Sequence, residues 1–555
     1  NAGGAMATPP GSGDERAADV ESEDEFASLN SIILTTSLLA LIAIGYRINT
    51  HRLRHLPESG AAMALGFLVG LSVRALGLQQ EEELLNFQGG FFFYVLLPPI
   101  IFEAGLSLQT QMFIDNLGAI LAFAVGGTLI STWVTGTALR WAAEAGGVGL
   151  EKQDDLWVIC HLFGALISAT DPVATIALFG GTRFRTDPLL TSLINGEAVL
   201  NDAVAVVLFS TLSHHMDKEP SLISPSILGH FFVVSLGSLT VGLLAGALLS
   251  WCFCRSEYLQ RFPDSEISAM CLGAYLTFAF SQLVGLSGIV ALFFFGVILA
   301  QYNWYNLSEP SKVASKVTFG TLSKLAEACV FIYLGVVAAL SVGNFHWHPG
   351  LVLFSILIIT VARAVHIFPL ATMLNVGRQR KIDHNMKIVM WISGLRGAIS
   401  FALSLRIPCT SGGHAAKHGS PECRNSDLLV TTTISIVMLT TLGVGTAMER
   451  VMTALNVIEP ISVGGVECQL SSPCQDGSLS VPLAAGDSHG DEVLASPAGP
   501  ASTLAAPPGV GLAPPDRGGG PERCAGAPSR STSMQNLWSL RFNARGELYQ
   551  AFARF

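Results

Sequence analysis

The sequence predicts an all-α protein that crosses a membrane many times. Three observations carry that expectation. Half of the 555 residues are hydrophobic and only 13% are charged, against about 25% in soluble globular proteins. The hydrophobic residues fall in long runs, as a lipid solvent requires. Glycine recurs inside those runs, which suits close packing of helices in a bilayer.

A helix needs about 20 mostly apolar residues to cross the hydrocarbon core. Thirteen candidate segments meet that need, over 29–46, 60–78, 88–108, 114–139, 157–180, 189–212, 226–254, 264–285, 286–301, 317–341, 350–375, 386–407 and 427–453. Segments 8 and 9 meet at Gly285 and have the least defined boundary.

The connecting loops test the count. With the N-terminus outside, the inner loops carry Arg47, Arg52 and Arg54, then Arg183 and Arg185, Arg255 and Arg261, Lys312 and Lys316, and Arg378, Arg380 and Lys381. The outer loops carry Glu81, Glu82 and Glu83 with only the scattered cations Lys152, Lys218, Lys417 and Arg424. Cations thus gather on one side, as the positive-inside rule expects. An odd number of segments then puts the C-terminal tail in the cytosol. The glycosylation sequon Asn306-Leu307-Ser308 falls inside in this arrangement, where it stays unmodified. Cys409 and Cys423 share an outer loop and are candidates to pair.

The flanks read differently. Residues 1–28 form an acidic, disordered segment with no features of a cleavable signal peptide. Residues 456–555 form a largely disordered cytosolic tail, rich in Pro, Gly, Ala and Ser from Gly464 to Arg530. Met534 to Phe555 regains Leu, Trp and Phe and reads either as an amphipathic helix against a membrane or partner or as a poorly ordered tail. The net charge of −10 supplies no basic stripe, which excludes nucleic acid as a partner. The pair Cys252 and Cys254 lies in an apolar run with no histidine beside it, a poor zinc site. No cofactor is expected.

Ionisable groups inside membrane segments are costly and mark function. Glu103 lies in segment 3, Asp171 in segment 5, Glu197 and Asp202 in segment 6, and Arg396 in segment 12. At 1.5 Å rise per residue each sits about 10 to 20 Å from a segment end, near the midplane. Pro172 follows Asp171 and disfavours helix there, so segment 5 should break at Thr170-Asp171 and free carbonyls for an ion. Segment 12 carries Gly394-Leu395-Arg396-Gly397, a flexible stretch with a cation inside it. Interrupted helices at matching places in two halves suggest inverted repeats, a transporter design. Glu197 and Asn201, four apart, share a face of segment 6, with Asp202 on the next face. A desolvated carboxylate can trade a proton for a metal cation. Arg396 keeps its proton and needs a fixed anion, for which Glu197 is the candidate partner. Glu327 either pairs or lines a cavity, and His161 and His366 read as packing residues.

Five motifs in this order make the chain recognisable: Leu97-Pro98-Pro99-Ile100-Ile101-Phe102-Glu103, Ser168-Ala169-Thr170-Asp171-Pro172-Val173-Ala174, Gly196-Glu197-Ala198-Val199-Leu200-Asn201-Asp202-Ala203-Val204, Gly288-Ile289-Val290-Ala291-Leu292-Phe293-Phe294 and Gly394-Leu395-Arg396-Gly397-Ala398. Over about 29–455 the chain resembles the eukaryotic sodium/proton exchangers of the monovalent cation:proton antiporter family. Phe331-Ile332-Tyr333-Leu334-Gly335 and Phe401-Ala402-Leu403-Ser404-Leu405 look closest to the organellar and apical branch.

The resemblance implies the sodium/proton antiporter fold, a homodimer of thirteen-segment protomers with broken segments 5 and 12 crossing beside the ion. It implies a dimerisation part over 29–108 and 264–341 and a moving core over 114–212 and 350–453. Asn201 and Asp202 match the family's Asn-Asp pair, in which the aspartate binds the ion. Asp171, the Thr170 carbonyl and Glu103 match positions at or near that ion, a Na⁺ or K⁺ at Asp202. Glu197 and Arg396 match an internal ion pair. The Asn-Asp pair goes with electroneutral exchange. Ala198 stands where the family commonly has Ser, so one hydroxyl ligand is missing.

Together these readings give electroneutral Na⁺/H⁺ or K⁺/H⁺ antiport by alternating access, with both ions as substrates, the bilayer as solvent and regulatory proteins on the tail. The membrane is the plasma membrane or an endomembrane of Golgi or endosome, with the N-terminus extracellular or lumenal. The rivals are a cation channel, for which no repeated filter is present, an intramembrane enzyme built on an aspartate dyad, and a structural or sensor protein without flux.

Overall fold

The computed structural model describes residues 12–460, apart from 52–56, 77–88, 109, 152–155, 172–183, 215–224, 257–261, 342–346, 408–409, 412–413 and 416–422. The expectations for the 461–555 tail, including the amphipathic helix at Met534 to Phe555, for Pro172, Val173 and Ala174 and for Cys409 lie outside the described residues.

The described residues are almost entirely helical. In chain order they form α1 (Ser12–His51), α2 (Glu58–Ala75), α3 (Phe92–Leu106), α4 (Leu117–Glu144), α5 (Leu156–Ser168), α6 (Pro188–Ser213) and α7 (Pro225–Arg255). There follow α8 (Pro263–Leu283), α9 (Gly288–Tyr302), α10 (Glu309–Ser341), α11 (Pro349–Leu374), α12 (His384–Ile392), α13 (Ala398–Ser404) and α14 (Arg424–Ala454). Among the described residues eight helices are long and apolar enough to cross a membrane, and Phe92–Leu106 and Leu156–Ser168 are shorter apolar helices. The remaining expected segments are occupied by α2, by α8 and by the pair α12 and α13, the two halves of segment 12. Segment 13 is α14.

One boundary differs from the sequence reading. The expected disordered stretch 1–28 is helical from Ser12 onward, continuous with the first apolar run. Residues 12–28 are rich in Ala and Glu, which favour helix, and contain no proline to stop it.

Among the described residues four short strands accompany the helices. β1 (Phe184–Thr186) pairs antiparallel with β4 (Ile458–Pro460), and β2 (Thr410–Ser411) with β3 (His414–Ala415). The β1–β4 pair joins the loop before α6 to the chain leaving α14. Asp187, next to β1, accepts from Leu189 N–H at 2.8 Å and caps α6, while Arg380 donates to both of its carboxylate oxygens at 2.8 Å. The proline at the first position of α6 costs nothing, because that N–H has no helical partner.

Helix packing falls into two groups. α2 lies along α10, and α3 packs on α9 and α10, with α7 and α8 against α9. α4 packs on α5 and α11, and α6 and α13 pack on α5, with α14 against α13. Glycine explains the closest approach: a Cβ on Gly66 would collide with the Ile332 carbonyl, and one on Gly335 with the Met63 carbonyl and the Phe67 nitrogen. Small residues are what let two helix backbones touch in this way. The outward faces of α1, α7, α8 and α11 expose Leu39, Leu236, Leu272 and Leu353, as a lipid-facing belt would.

Among the described residues three π-turns interrupt otherwise regular helices. Phe92–Leu96 opens α3, Ala122–Gly126 lies in α4 and Thr440–Val444 in α14. The first has a covalent cause. Pro98 and Pro99 cannot donate to the carbonyls four residues earlier, so the preceding turn widens. The second places Thr128, and the third Thr440 and Thr441, against groups of the candidate site.

Candidate functional site

The site is built where two helices stop inside the bundle. α5 ends at Ser168, and Ala169 and Thr170 continue without helical structure to Asp171. α12 ends at Ile392, and α13 starts only at Ala398. The two interruptions meet: the Asp171 N–H donates to the Leu395 carbonyl at 2.9 Å, an antiparallel bridge between the two loose stretches. The end of α5 just before Thr170-Asp171 agrees with the expected break and lies against the interruption of segment 12, while the rest of segment 5, and with it the expected crossing, lies outside the described residues.

A helix that stops in a buried place leaves carbonyls without partners and a negative dipole end. Two guanidiniums answer this. Arg396 Nη1 donates to the carbonyls of Ser168 at 3.1 Å and Ala169 at 3.2 Å, at the end of α5. Arg363, on α11, donates from Nη2 to Met390 at 2.8 Å and from Nε to Met390 and Trp391 at 3.2 Å, at the end of α12. Ser400 adds a hydroxyl across this meeting point, donating to the Leu166 carbonyl at 2.8 Å.

The glycines of Gly394-Leu395-Arg396-Gly397 have steric reasons. A Cβ on Gly394 would run into the Arg363 guanidinium, and a Cβ on Gly397 into the Asp171 side chain. The motif therefore makes room for one cation on one side and one carboxylate on the other.

Glu197 corrects the expected ion pair. Its carboxylate sits 3.1 Å from Arg363 Nη1, both side chains being nearly inaccessible at 3% and 6% exposure. Arg396, the partner expected from sequence, is fully buried and feels the charges of Glu197 and Asp202, but spends its described hydrogen bonds on the end of α5. The reason is reach. Arg363 projects from α11 past Gly394, whereas Arg396 is turned toward α5.

Asn201 is held on three sides. Its amide nitrogen donates to the Ser168 carbonyl at 2.9 Å and to Thr170 Oγ1 at 3.1 Å, and its Oδ1 accepts from Thr128 of α4. Both amide hydrogens are therefore spent, leaving one lone pair on Oδ1. Among the expected ion-binding residues, Asn201 acts here as a brace between α4, α5 and α6. Asp202, the next residue, is partly exposed and lies within electrostatic reach of Asp171 and Arg396. Asp171 is likewise partly exposed.

Glu103, on α3, belongs to the other packing group. Its carboxylate is hydrogen bonded by Ser107 and faces Lys324 of α10. Glu327, one turn on from Lys324, lies within electrostatic reach of Asp171, Glu103, Lys324 and Glu58. His161 stacks on Trp157 at 4.3 Å with Nδ1 at 2.8 Å from the Trp157 carbonyl, and His366 Nδ1 is 3.0 Å from the Ala362 carbonyl. Both are packing residues satisfied by their own helix. Cys423 is disulfide-bonded.

Sequence reasoning missed Arg363, Thr128, Ser400, Thr440 and Thr441. Arg363 had a readable signal, a cation in the middle of an apolar segment. The hydroxyl residues had none, since Ser and Thr inside membrane helices mostly bond their own backbone.

A bundle of apolar helices, one ending and one interrupted beside carboxylates, with guanidiniums on the freed carbonyls, fits a membrane transporter of the interrupted-helix class. The family model for the transmembrane sodium/hydrogen exchanger matches residues 37–454, and the chain belongs to that family. Similar curated proteins include sodium/hydrogen exchanger 8 of Rattus norvegicus, 36% identical over 436 residues covering 76% of this chain and 72% of the relative. Sodium/hydrogen exchanger 5 of Arabidopsis thaliana is 34% identical, covering 79% of this chain and 81% of the relative. Among solved structures, the sodium proton antiporter MjNhaP1 from Methanocaldococcus jannaschii matches with a TM-score of 0.60 at 18% identity, covering 78% of this chain and 99% of that one.

Proposed function

We propose that the protein exchanges Na⁺ for H⁺, one for one, by alternating access, with K⁺ as a possible replacement for Na⁺. Asp202 is the carrier carboxylate. Asp171 and the Thr170 carbonyl complete the site, with Glu103 on its approach, and Asn201 holds the frame.

One observation carries the stoichiometry. Around the meeting point of the two interruptions stand three carboxylates, Asp171, Glu197 and Asp202, and two guanidiniums, Arg363 and Arg396. Glu197 and Arg363 cancel, and Arg396 offsets one aspartate. The formal remainder is a single negative charge, which one monovalent cation or one proton neutralises. Burying a larger charge would be costly, so the two ions compete for one place. That competition, with the site opened to each side in turn, is sufficient for electroneutral antiport.

The two packing groups support the motion. The expected core over 114–212 and 350–453 corresponds to α4–α6 and α11–α14, and it holds every group at that meeting point. The expected dimerisation part over 29–108 and 264–341 corresponds to α1–α3 and α8–α10. The reading extends to a homodimer, an N-terminus outside or in a lumen, and a cytosolic tail open to regulatory proteins.

The test is cation-driven proton movement in proteoliposomes, wild type beside Asp202→Asn, with and without a voltage clamp. Expected are Na⁺-driven proton flux, a silent but folded variant, and no effect of the clamp. Flux that survives Asp202→Asn removes Asp202 as the carrier. Flux that follows the clamped voltage removes one-for-one exchange.

A further inference from the structure

Arg396 is positioned by its backbone as well as by its guanidinium. The Arg396 N–H donates to Thr440 Oγ1 at 3.3 Å, and Thr441 Oγ1 donates to the Arg396 carbonyl at 3.3 Å. Thr440 also donates to the Val437 carbonyl at 3.3 Å, so its one proton and one of its two acceptor lone pairs are both placed. Thr441 is 4% exposed and Arg396 1% exposed. The two threonines thus serve one donor and one acceptor that the break between α12 and α13 would otherwise leave unpaired in a dry place.

Consecutive residues of a regular helix point about 100° apart. Here both reach Arg396, and both belong to the π-turn Thr440–Val444, whose i→i+5 bonding widens the helix. The residues on either side of Arg396 hold the carrier site. The Leu395 carbonyl accepts the Asp171 N–H, and the Gly397 backbone abuts the Asp171 side chain. Fixing Arg396 therefore fixes Asp171.

We propose that Thr440 and Thr441, on the π-turn of α14, are positioning residues that set the place of Asp171 through the stretch Leu395–Gly397. The proposal rests on the reading of Asp171 and Asp202 as the cation site. It adds α14, which contributes no carboxylate to that site, as the element that holds the unwound half of segment 12 in register.

The experiment is Na⁺-dependent exchange by the full chain in proteoliposomes, with KM and maximal rate per folded molecule measured separately. Thr440→Val with Thr441→Val removes both contacts at nearly constant volume. The expected result is a KM for Na⁺ raised about three- to tenfold, the scale of one or two lost hydrogen bonds, with the maximal rate within about twofold. Thr440→Ser with Thr441→Ser keeps the hydroxyls and restores the wild-type KM. A purely structural role lowers yield and leaves KM unchanged, and that result overturns the proposal. Should the double valine variant fail to fold, Thr440→Ala alone must raise KM at least about twofold, and an unchanged KM again overturns it. Asp202→Asn runs alongside. Exchange by that variant refutes the site reading itself, whatever the threonine variants do.

Discussion

Removing Arg363 tests the corrected ion pair. The guanidinium lies 3.1 Å from the Glu197 carboxylate, with exposures of 6% and 3%. At an effective dielectric constant of about 20, two unit charges about 4 Å apart attract by about 4 kcal/mol. Breaking a buried pair by losing one partner costs about 3–5 kcal/mol, because the survivor stays charged and dry. Arg363→Gln also releases the Met390 and Trp391 carbonyls at the end of α12, so the upper end of that range is expected. Glu197→Gln alone should cost a similar amount. The double variant leaves two neutral amides and should recover about 2–4 kcal/mol of the sum. The assay is equilibrium unfolding in mixed micelles, read as a double-mutant cycle. A second cycle between Glu197 and Arg396, the partner expected from sequence, should show the weaker coupling. Additivity within about 0.5 kcal/mol for Glu197 and Arg363, or stronger coupling to Arg396, would refute the assignment.

Other expectations follow from the same contacts. Gly397→Ala places a methyl in the Asp171 carboxylate and should abolish Na⁺-driven proton flux while the protein still reaches the membrane. Gly394→Ala displaces the Arg363 guanidinium instead, so it should lower the unfolding midpoint about as far as Arg363→Gln does. Thr128→Val frees the Asn201 amide oxygen and should raise the KM for Na⁺ a few-fold, with Thr128→Ser close to wild type in the same flux assay. Gly335→Leu forces α10 away from the Met63 carbonyl of α2, which should leave little monodisperse protein by size-exclusion chromatography.

Much of this molecule was legible in the sequence because membrane physics is severe. Apolar runs of fixed length declare helices, and a charge within them declares a site. Asp171, Glu197, Asp202 and Arg396 could be picked out on those grounds alone, and Pro172 and Gly394 pointed to the interruptions. What the sequence left open was partnership. Glu197 and Arg363 lie on helices far apart in the chain, and which guanidinium reaches the carboxylate depends on how α6, α11 and α12 face one another. The helical start at Ser12 is hidden by the acidic composition of 12–28, although the Ala and Glu of that stretch favour helix.

The sequence by itself determined the solvent, the long apolar helices, several of the charges set among them and the place where segment 12 is interrupted, since each follows from the local cost of placing a residue in lipid. The tertiary structure alone decided that the freed carbonyls of α5 and α12 are answered by Arg396 and Arg363, and that Asn201 spends its amide on Ser168 and Thr170. It also set Thr440 and Thr441 against the Arg396 backbone. Hydrogen bonds of this kind have a reach of about 3 Å, so their partners are chosen by where helices cross, which no single segment encodes.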